Sequence, residues 1–141
     1  MAFDNIIGVA GSALNAQLTR LNATASNLAN AGTVAGSEAE AFKAKRPVFK
    51  AVLDEQVTQA NQPFNGGVRI ERLIDDPAPP RMVFQPNSPL ANKEGYVYQS
   101  NVSEVTELVE MMAAARSYQN NVEVINTARQ LLSRTLEITK A

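Results

Sequence analysis

The chain has 141 residues, enough for one modest domain, and 45% of them are hydrophobic, a normal share for a folded protein. Its formal net charge of −1 gives no electrostatic sign of nucleic-acid binding. Because it contains no cysteine and no histidine, it has no disulfides, no thiolate or imidazole nucleophile and no His/Cys metal site.

Apolar residues at seven-residue intervals predict a long N-terminal helix over residues 3–30. One series consists of Ile7, Leu14, Leu21 and Leu28, and the alternate position holds Leu18 and Ala25. The end of this helix, residues 21–32, reads LNATASNLANAG and carries no charge. A helix surrounded by protein on several sides has this composition, since small and amide side chains avoid the desolvation cost of a charge. An ordinary two-helix core with an uncharged outer face is the alternative, and composition leaves both open.

The N-terminus and the hydropathy pattern bear on targeting. The first residues lack both a basic segment and a continuous apolar run, so a cleaved secretory signal is not expected. No run of the sequence approaches the ~20 apolar residues of a membrane span.

The middle of the chain, residues 31–100, holds all seven prolines. Short strand-like runs stand there between turn signals, at residues 47–53, 68–74, 81–85 and 96–99. These features predict a small, irregular β-rich region with loops.

A second helix is predicted over residues 104–139, which contain neither glycine nor proline. Its heptad series are Leu108, Ala115, Val122 and Leu136 in one position, interrupted by Arg129, and Met111, Tyr118, Ile125 and Leu132 in the other. Asn101 or Ser103 could cap it, and Glu104, Glu107 and Glu110 lie near its positive end, where the helix dipole and solvation explain them.

The matching series on the two terminal helices define a predicted packing seam. At ~1.5 Å per residue the helices are about 40 and 50 Å long, which is too long for a compact domain to enclose. We therefore expect an α+β fold in which residues 1–30 and 101–141 form one antiparallel coiled-coil domain. Residues 31–100 are inserted between them.

Several charged groups could suggest chemistry, but none forms a convincing site. Asp75-Asp76 precedes a proline and is better explained as a turn, and Asp54-Glu55 is a second adjacent pair. A basic cluster, Lys43, Lys45, Arg46 and Lys50, is either a solvated strand face or a contact with an acidic neighbour. The sequence offers no convergent acid, base and nucleophile, so no catalytic, cofactor or metal site is predicted and an enzyme is not expected.

Longer segments resemble a known family. Residues 10–31, AGSALNAQLTRLNATASNLANA, resemble the N-terminal signature of the flagellar axial proteins, the rod, hook and hook-associated families. The family motif corresponds to Ser26, Asn27, Leu28, Ala29 and Asn30. The blocks GGVRIERLIDDPAPPRMVFQPNSPLANKEGYV and SNVSEVTELVEMMAAARSYQNNVEVINTARQLL resemble proximal-rod proteins in order and spacing, so the likeness covers nearly the whole chain.

The resemblance implies a structural subunit of the proximal rod of the bacterial flagellar basal body. In that family, terminal helices polymerise into a hollow drive shaft that transmits torque and encloses the export channel. The implied partners are copies of the chain, other proximal and distal rod proteins, the basal-body adaptor, a rod cap and the flagellar type III export apparatus. Nucleic acid and membrane insertion are not implied, and the implied location is the periplasmic rod, reached without a cleaved signal. The residues alone leave a second class open, a stand-alone coiled-coil adaptor or export chaperone.

Overall fold

The computed structural model describes residues 2–53 and 66–140. In chain order its elements are α1 (Ala2–Ala29), β1 (Val34–Ala35), β2 (Lys45–Leu53), β3 (Gly66–Asp75), β4 (Arg81–Phe84), β5 (Tyr96–Gln99) and α2 (Glu104–Lys140). Two terminal helices with a small β region between them are thereby confirmed. The four predicted strand segments correspond to β2, β3, β4 and β5. Asp54 and Glu55, the second carboxylate pair of the sequence analysis, lie outside the described residues.

The strands form two small sheets. One has three antiparallel strands in the order β1-β5-β4, and the other pairs β2 with β3. Phe84 stands opposite Tyr96 in the first sheet, and their rings meet edge to face with centroids 5.2 Å apart. Gly95 precedes this pair with a φ of 84°, and an added Cβ there would lie 2.8 Å from the Phe84 ring. The turn into β5 therefore requires glycine on both counts.

The sequence analysis did not predict strand β1. This strand is only two residues long, and it is held in place by pairing with a segment that is distant in the sequence. Val34 pairs with Gln99 and Ala35 with Tyr98. The adjoining Ser100 is buried; its N–H donates to Thr33 O at 3.1 Å and its Oγ donates to Ala31 O at 2.7 Å. No pattern in the local sequence predicts a strand that is this short and that depends on distant partners.

The chain divides into two compact units. The first comprises Met1–Thr19, Val48–Arg72 and Ala113–Ala141, and the second comprises Arg20–Pro47 and Leu73–Met112. The core of the second unit is a cluster of Ala31, Ala44 and Val102 with Phe42 packed against it. Among the side chains of the first unit whose burial is described, the buried hydrophobic residues are alanines: Ala10, Ala16, Ala114 and Ala128. Most large apolar side chains of the helices are therefore only half-buried or exposed.

Ser103, one of the two candidates, occupies the N-cap position of α2. Ser103 directly precedes the helix; its carbonyl accepts from the Glu107 N–H at 2.9 Å, and its Oγ accepts from the Thr106 hydroxyl at 3.1 Å. The side chain of Asn101 binds backbone groups elsewhere in the second unit: it accepts from Ala44 N–H at 2.8 Å and donates to Ala78 O at 2.7 Å. None of the helices described here is both long and apolar enough to span a membrane.

Candidate assembly surface

Asn27, in the second unit, is fully buried and binds the backbone of β2 with its side-chain amide. Its Nδ2 donates to Lys45 O at 3.0 Å, and its Oδ1 accepts from Lys45 N–H at 2.7 Å. Both backbone groups of one residue are thus bonded, as a neighbouring strand would bond them. Nδ2 also donates to Glu107 Oε2 at 3.0 Å. Only an amide supplies this combination of donor and acceptor, which explains an asparagine rather than an aspartate here.

Glu107 is the charged centre of the same cluster. Its side chain is fully buried, Arg46 Nη1 lies 2.7 Å from its Oε1, and Arg46 Nε donates to Asp76 Oδ2 at 3.3 Å. We call Asn27, Arg46, Asp76 and Glu107 the polar junction. The sequence interpretation of Glu107 as part of a solvated acidic face is wrong, because this carboxylate is buried against a guanidinium and an amide. A buried carboxylate needs such partners to offset its desolvation.

Three members of the basic cluster, Lys45, Arg46 and Lys50, form ion pairs with carboxylates of the chain. Lys45 forms an ion pair with Asp75 in the second unit, and Lys50 Nζ lies 3.2 Å from Glu71 Oε1 in the first. These pairs are exposed and contribute about 0–1 kcal/mol each. Asp76 Oδ1 accepts from the Ala78 N–H at 3.0 Å, the bond expected of a turn. Neither alternative offered by the sequence, a solvated face or an acidic neighbour, included these intrachain carboxylates.

The predicted seam residues differ in burial. Leu18 and Ala25 on α1 and Leu108 and Leu136 on α2 are exposed. The half-buried members are Ile7, Leu14, Leu21, Leu28, Met111, Ala115, Tyr118, Val122, Ile125 and Leu132. From residue 5 to the end of α1 the buried positions are small or polar instead: Ala10, Ala16, Ala23, Thr24 and Asn27. That the seam packs one subunit on another stays a prediction.

The family-motif residues have separate local roles. Asn27 belongs to the polar junction, whereas Asn30 Nδ2 donates to Ser26 O at 2.8 Å and closes the end of α1. Leu28 is half-buried, and Ser26 and Ala29 are exposed. The motif thus supplies one buried anchor and one helix-terminating amide.

An exposed apolar surface lies at the start of α2, in the second unit. Val105, Leu108, Val109 and Met112 are 73%, 48%, 60% and 72% exposed. Their spacing of three, four and seven residues places them on one face of the helix. We call these four residues the α2 stripe. The predicted seam contains only Leu108 of this set, because Val105, Val109 and Met112 fall outside its heptad series.

Comparison with known proteins identifies the family. The family model described as "Flagella basal body rod protein" matches residues 7–35, and the one described as "Flagellar basal body rod FlgEFG protein C-terminal" matches residues 93–138. Relatives named "Flagellar basal-body rod protein FlgC" include that of Yersinia enterocolitica, 48% identical over 98% of both chains. The chain belongs to the FlgC family of flagellar basal-body rod proteins. The FlgC proteins of Salmonella typhimurium (45% identical, 98% of both chains) and Bacillus subtilis (31%, 95% of this chain and 96% of that one) extend the likeness.

Both family segments contribute to the polar junction of this FlgC-family chain. The segment matched by the first model contains Asn27, and the segment matched by the second contains Glu107, which Asn27 contacts directly. The resemblance to rod proteins stated from the sequence is confirmed. The family consists of structural flagellar rod components and is not known as one of enzymes.

Proposed function

We propose that this chain is a structural subunit of the proximal rod, and that it polymerises through its terminal helices into the hollow drive shaft. The shaft transmits torque and encloses the export channel. Membership of the FlgC family supports the rod assignment. The observation that supports polymerisation through the helices is the exposure of large apolar side chains along them.

Most of the exposed large apolar side chains in the described part of the chain lie on α1 and α2. On α1 they are Ile6, Val9 and Leu18; on α2 they are Val105, Leu108, Val109, Met112, Val124, Leu131, Leu136 and Ile138. Exposed large apolar side chains in this number favour a contact with other protein molecules. In a rod subunit, other subunits cover it.

The terminal helices are proposed to pair as an antiparallel coiled coil within each subunit. Two contacts in the second unit support this arrangement: Asn27 meets Glu107, and Arg20 forms an ion pair with Glu110. From the first contact to the second, the residue number falls along α1, from Asn27 to Arg20, and rises along α2, from Glu107 to Glu110. Contacts between two antiparallel helices follow this order. On this proposal residues 1–30 and 101–141 form one domain and residues 31–100 are inserted in it.

The proposal extends to partners and location. Other proximal and distal rod proteins, the basal-body adaptor and a rod cap would contact the subunit in the periplasm. The flagellar type III apparatus would export it without a cleaved signal. The alternative is a stand-alone adaptor or export chaperone. That alternative predicts a folded oligomer in solution and an intact rod in a strain that lacks the chain.

The decisive experiment replaces one member of the α2 stripe in a strain that lacks the native gene. Val109→Asp should be exported but absent from purified basal bodies, because assembly would bury an unpaired carboxylate. Thr106→Asp is the matched control, since Thr106 is exposed on the same turns of α2 but off the stripe. Swimming cells with Val109→Asp in normal basal bodies would overturn the role of this helix. Normal basal bodies in the strain without the chain would favour the adaptor.

A further inference from the structure

An apolar groove lies between the two helices in the first unit. It consists of two adjoining cavities of about 350 and 270 Å³. Ile6 and Val124 line both cavities. The large apolar side chains in its walls, Ile6, Val9, Val124 and Leu131, are 40–48% exposed, so the groove is open to a partner. We call this the helix groove.

The α2 stripe has the form that fits such a groove. Its members at positions i, i+3, i+4 and i+7 are the anchors by which one helix lays its apolar face between two others. Val105 and Met112 are more than 70% exposed, so the described residues, 2–53 and 66–140, leave the stripe open. One chain thus carries both an apolar ridge and an apolar groove that its described residues leave exposed.

We infer that the α2 stripe of one copy seats in the helix groove of a second copy. This inference rests on the proposed function as a rod subunit and names the partner of the exposed helices. Because two different surfaces meet, the contact is heterologous, and a copy that has contributed its stripe still offers an open groove. Such a contact can add successive copies, as a rod requires.

Charges at the two surfaces are complementary and favour a copy of this chain as the occupant. Arg116 follows Met112 by four residues within α2, and Glu123 lines the second cavity of the helix groove. Both are exposed, and neither forms an ion pair with any residue in 2–53 or 66–140. Opposite charges at the rim of an apolar contact fix its direction and register more than its strength.

Cysteine cross-linking tests the contact directly, because the native chain has no cysteine. A Met112→Cys chain and a Val9→Cys chain are expressed together in a strain that lacks the native gene, and its basal bodies are treated with a mild oxidant. We expect a disulfide-linked dimer of two copies at a yield at least five-fold above the control. The control pairs Met112→Cys with Gln130→Cys, an exposed α2 position outside the groove lining. A disulfide forms only where the two Cβ atoms approach to about 4 Å.

The outcomes separate this inference from the proposed function. Assembled rods in which Met112→Cys links to a different protein, or gives no more dimer than the control, would overturn the second copy as occupant. The role as a rod subunit would stand in that case. Basal bodies of a strain with the unaltered chain that lack this chain altogether would overturn both.

A charge exchange gives an independent readout. Arg116→Glu and Glu123→Arg should each lower the amount of chain in basal bodies several-fold. The double variant should restore it, because every contact between copies then regains an opposite pair. Equal loss in the single and double variants would contradict the inferred contact.

Discussion

Asn27 and Glu107 are 80 residues apart in sequence, and Asn27 Nδ2 donates a hydrogen bond to Glu107 Oε2 at 3.0 Å. The same asparagine holds both backbone groups of Lys45, and the same glutamate receives the charge of Arg46. One buried pair therefore links the end of α1, the beginning of β2 and the first turn of α2. Buried polar groups of this kind can specify register, because only one alignment satisfies all of them.

The first prediction concerns the amide of Asn27. Asn27→Asp should lower the free energy of unfolding by about 3 kcal/mol, because it leaves Lys45 O without its donor and places a second carboxylate beside Glu107. Urea unfolding of the purified chain measures the change. Asn22→Asp is the control, since Asn22 is exposed on the same helix. An equal effect of the two variants would contradict the role assigned to Asn27.

A double-mutant cycle tests whether Asn27 and Glu107 interact as described. Glu107→Gln alone should destabilise the chain, since it removes the negative partner of Arg46. The double variant with Asn27→Asp should lose less unfolding free energy than the sum of the two single losses, because the new amide can donate to the new carboxylate. A coupling of about 1–2 kcal/mol is expected for groups in direct contact. Strict additivity would show that the two side chains act separately.

The sequence predicted most of the fold but not the polar junction, and the reason is physical. Heptad periodicity and proline-bounded runs are local signals, so α1, α2 and four strands could be located from them. Glu107, by contrast, stands where an acidic residue is favoured by the helix dipole alone. Its burial depends on Asn27 and Arg46, which come from distant parts of the chain. No local spacing encodes that meeting.

The heptad pattern does not distinguish buried from exposed positions within the chain. It selected Leu18 and Leu108 for the seam, and both are 48% exposed, whereas Ala10, Ala16 and Ala23 are buried. Apolar periodicity identifies a helix. It does not show which of two adjacent helix faces is buried when one of them carries small residues. The α2 stripe was missed because Val105, Val109 and Met112 fall outside the two heptad series.

The third prediction compares two cations of β2. Arg46→Gln should cost about 3 kcal/mol in unfolding free energy, because it leaves the buried Glu107 carboxylate without its counter-charge. Lys50→Gln should cost less than about 1 kcal/mol, because Lys50 and Glu71 form an exposed pair. Thermal or urea unfolding of both variants gives the comparison. Similar losses of unfolding free energy in the two variants would show that the buried contact of Arg46 stabilises the chain no more than the exposed pair of Lys50 does.

The fourth prediction concerns the half-buried seam. Leu21→Asp and Ile125→Asp should abolish incorporation into basal bodies while the chain is still exported, because packing would enclose an unpaired carboxylate. Motility in soft agar and immunoblots of purified basal bodies report the result. Asn126→Asp serves as the control for Ile125, since it is exposed on the same turn. Normal swimming of both seam variants would rule out the seam as a subunit contact.

The final prediction concerns α1 in the free chain. Its glycines, asparagines and threonines cost together roughly 5 kcal/mol in helix propensity relative to alanine. From residue 5 to the end of α1 the buried hydrophobic residues are alanines, whose burial contributes little hydrophobic free energy. Order in the first part of α1 should therefore depend on neighbours that dilute solution lacks, whereas Asn27 anchors its end. In a verified monomer, amide hydrogen exchange should show residues 5–19 almost unprotected and residues 23–29 more protected.

One further variant distinguishes the effect of the Asn27 hydrogen bonds on the end of α1 from the effect of helix propensity. Asn27→Ala removes the bonds to Lys45 and Glu107 but places the best helix former at that position. If tertiary anchoring maintains the end of α1, protection of residues 23–29 should fall in this variant even though its helix propensity rises. Protection that stays the same or increases in Asn27→Ala would mean that the end of α1 is stable as a helix without these bonds. Uniform protection of α1 in the unaltered monomer would show that assembly is not needed to order this helix.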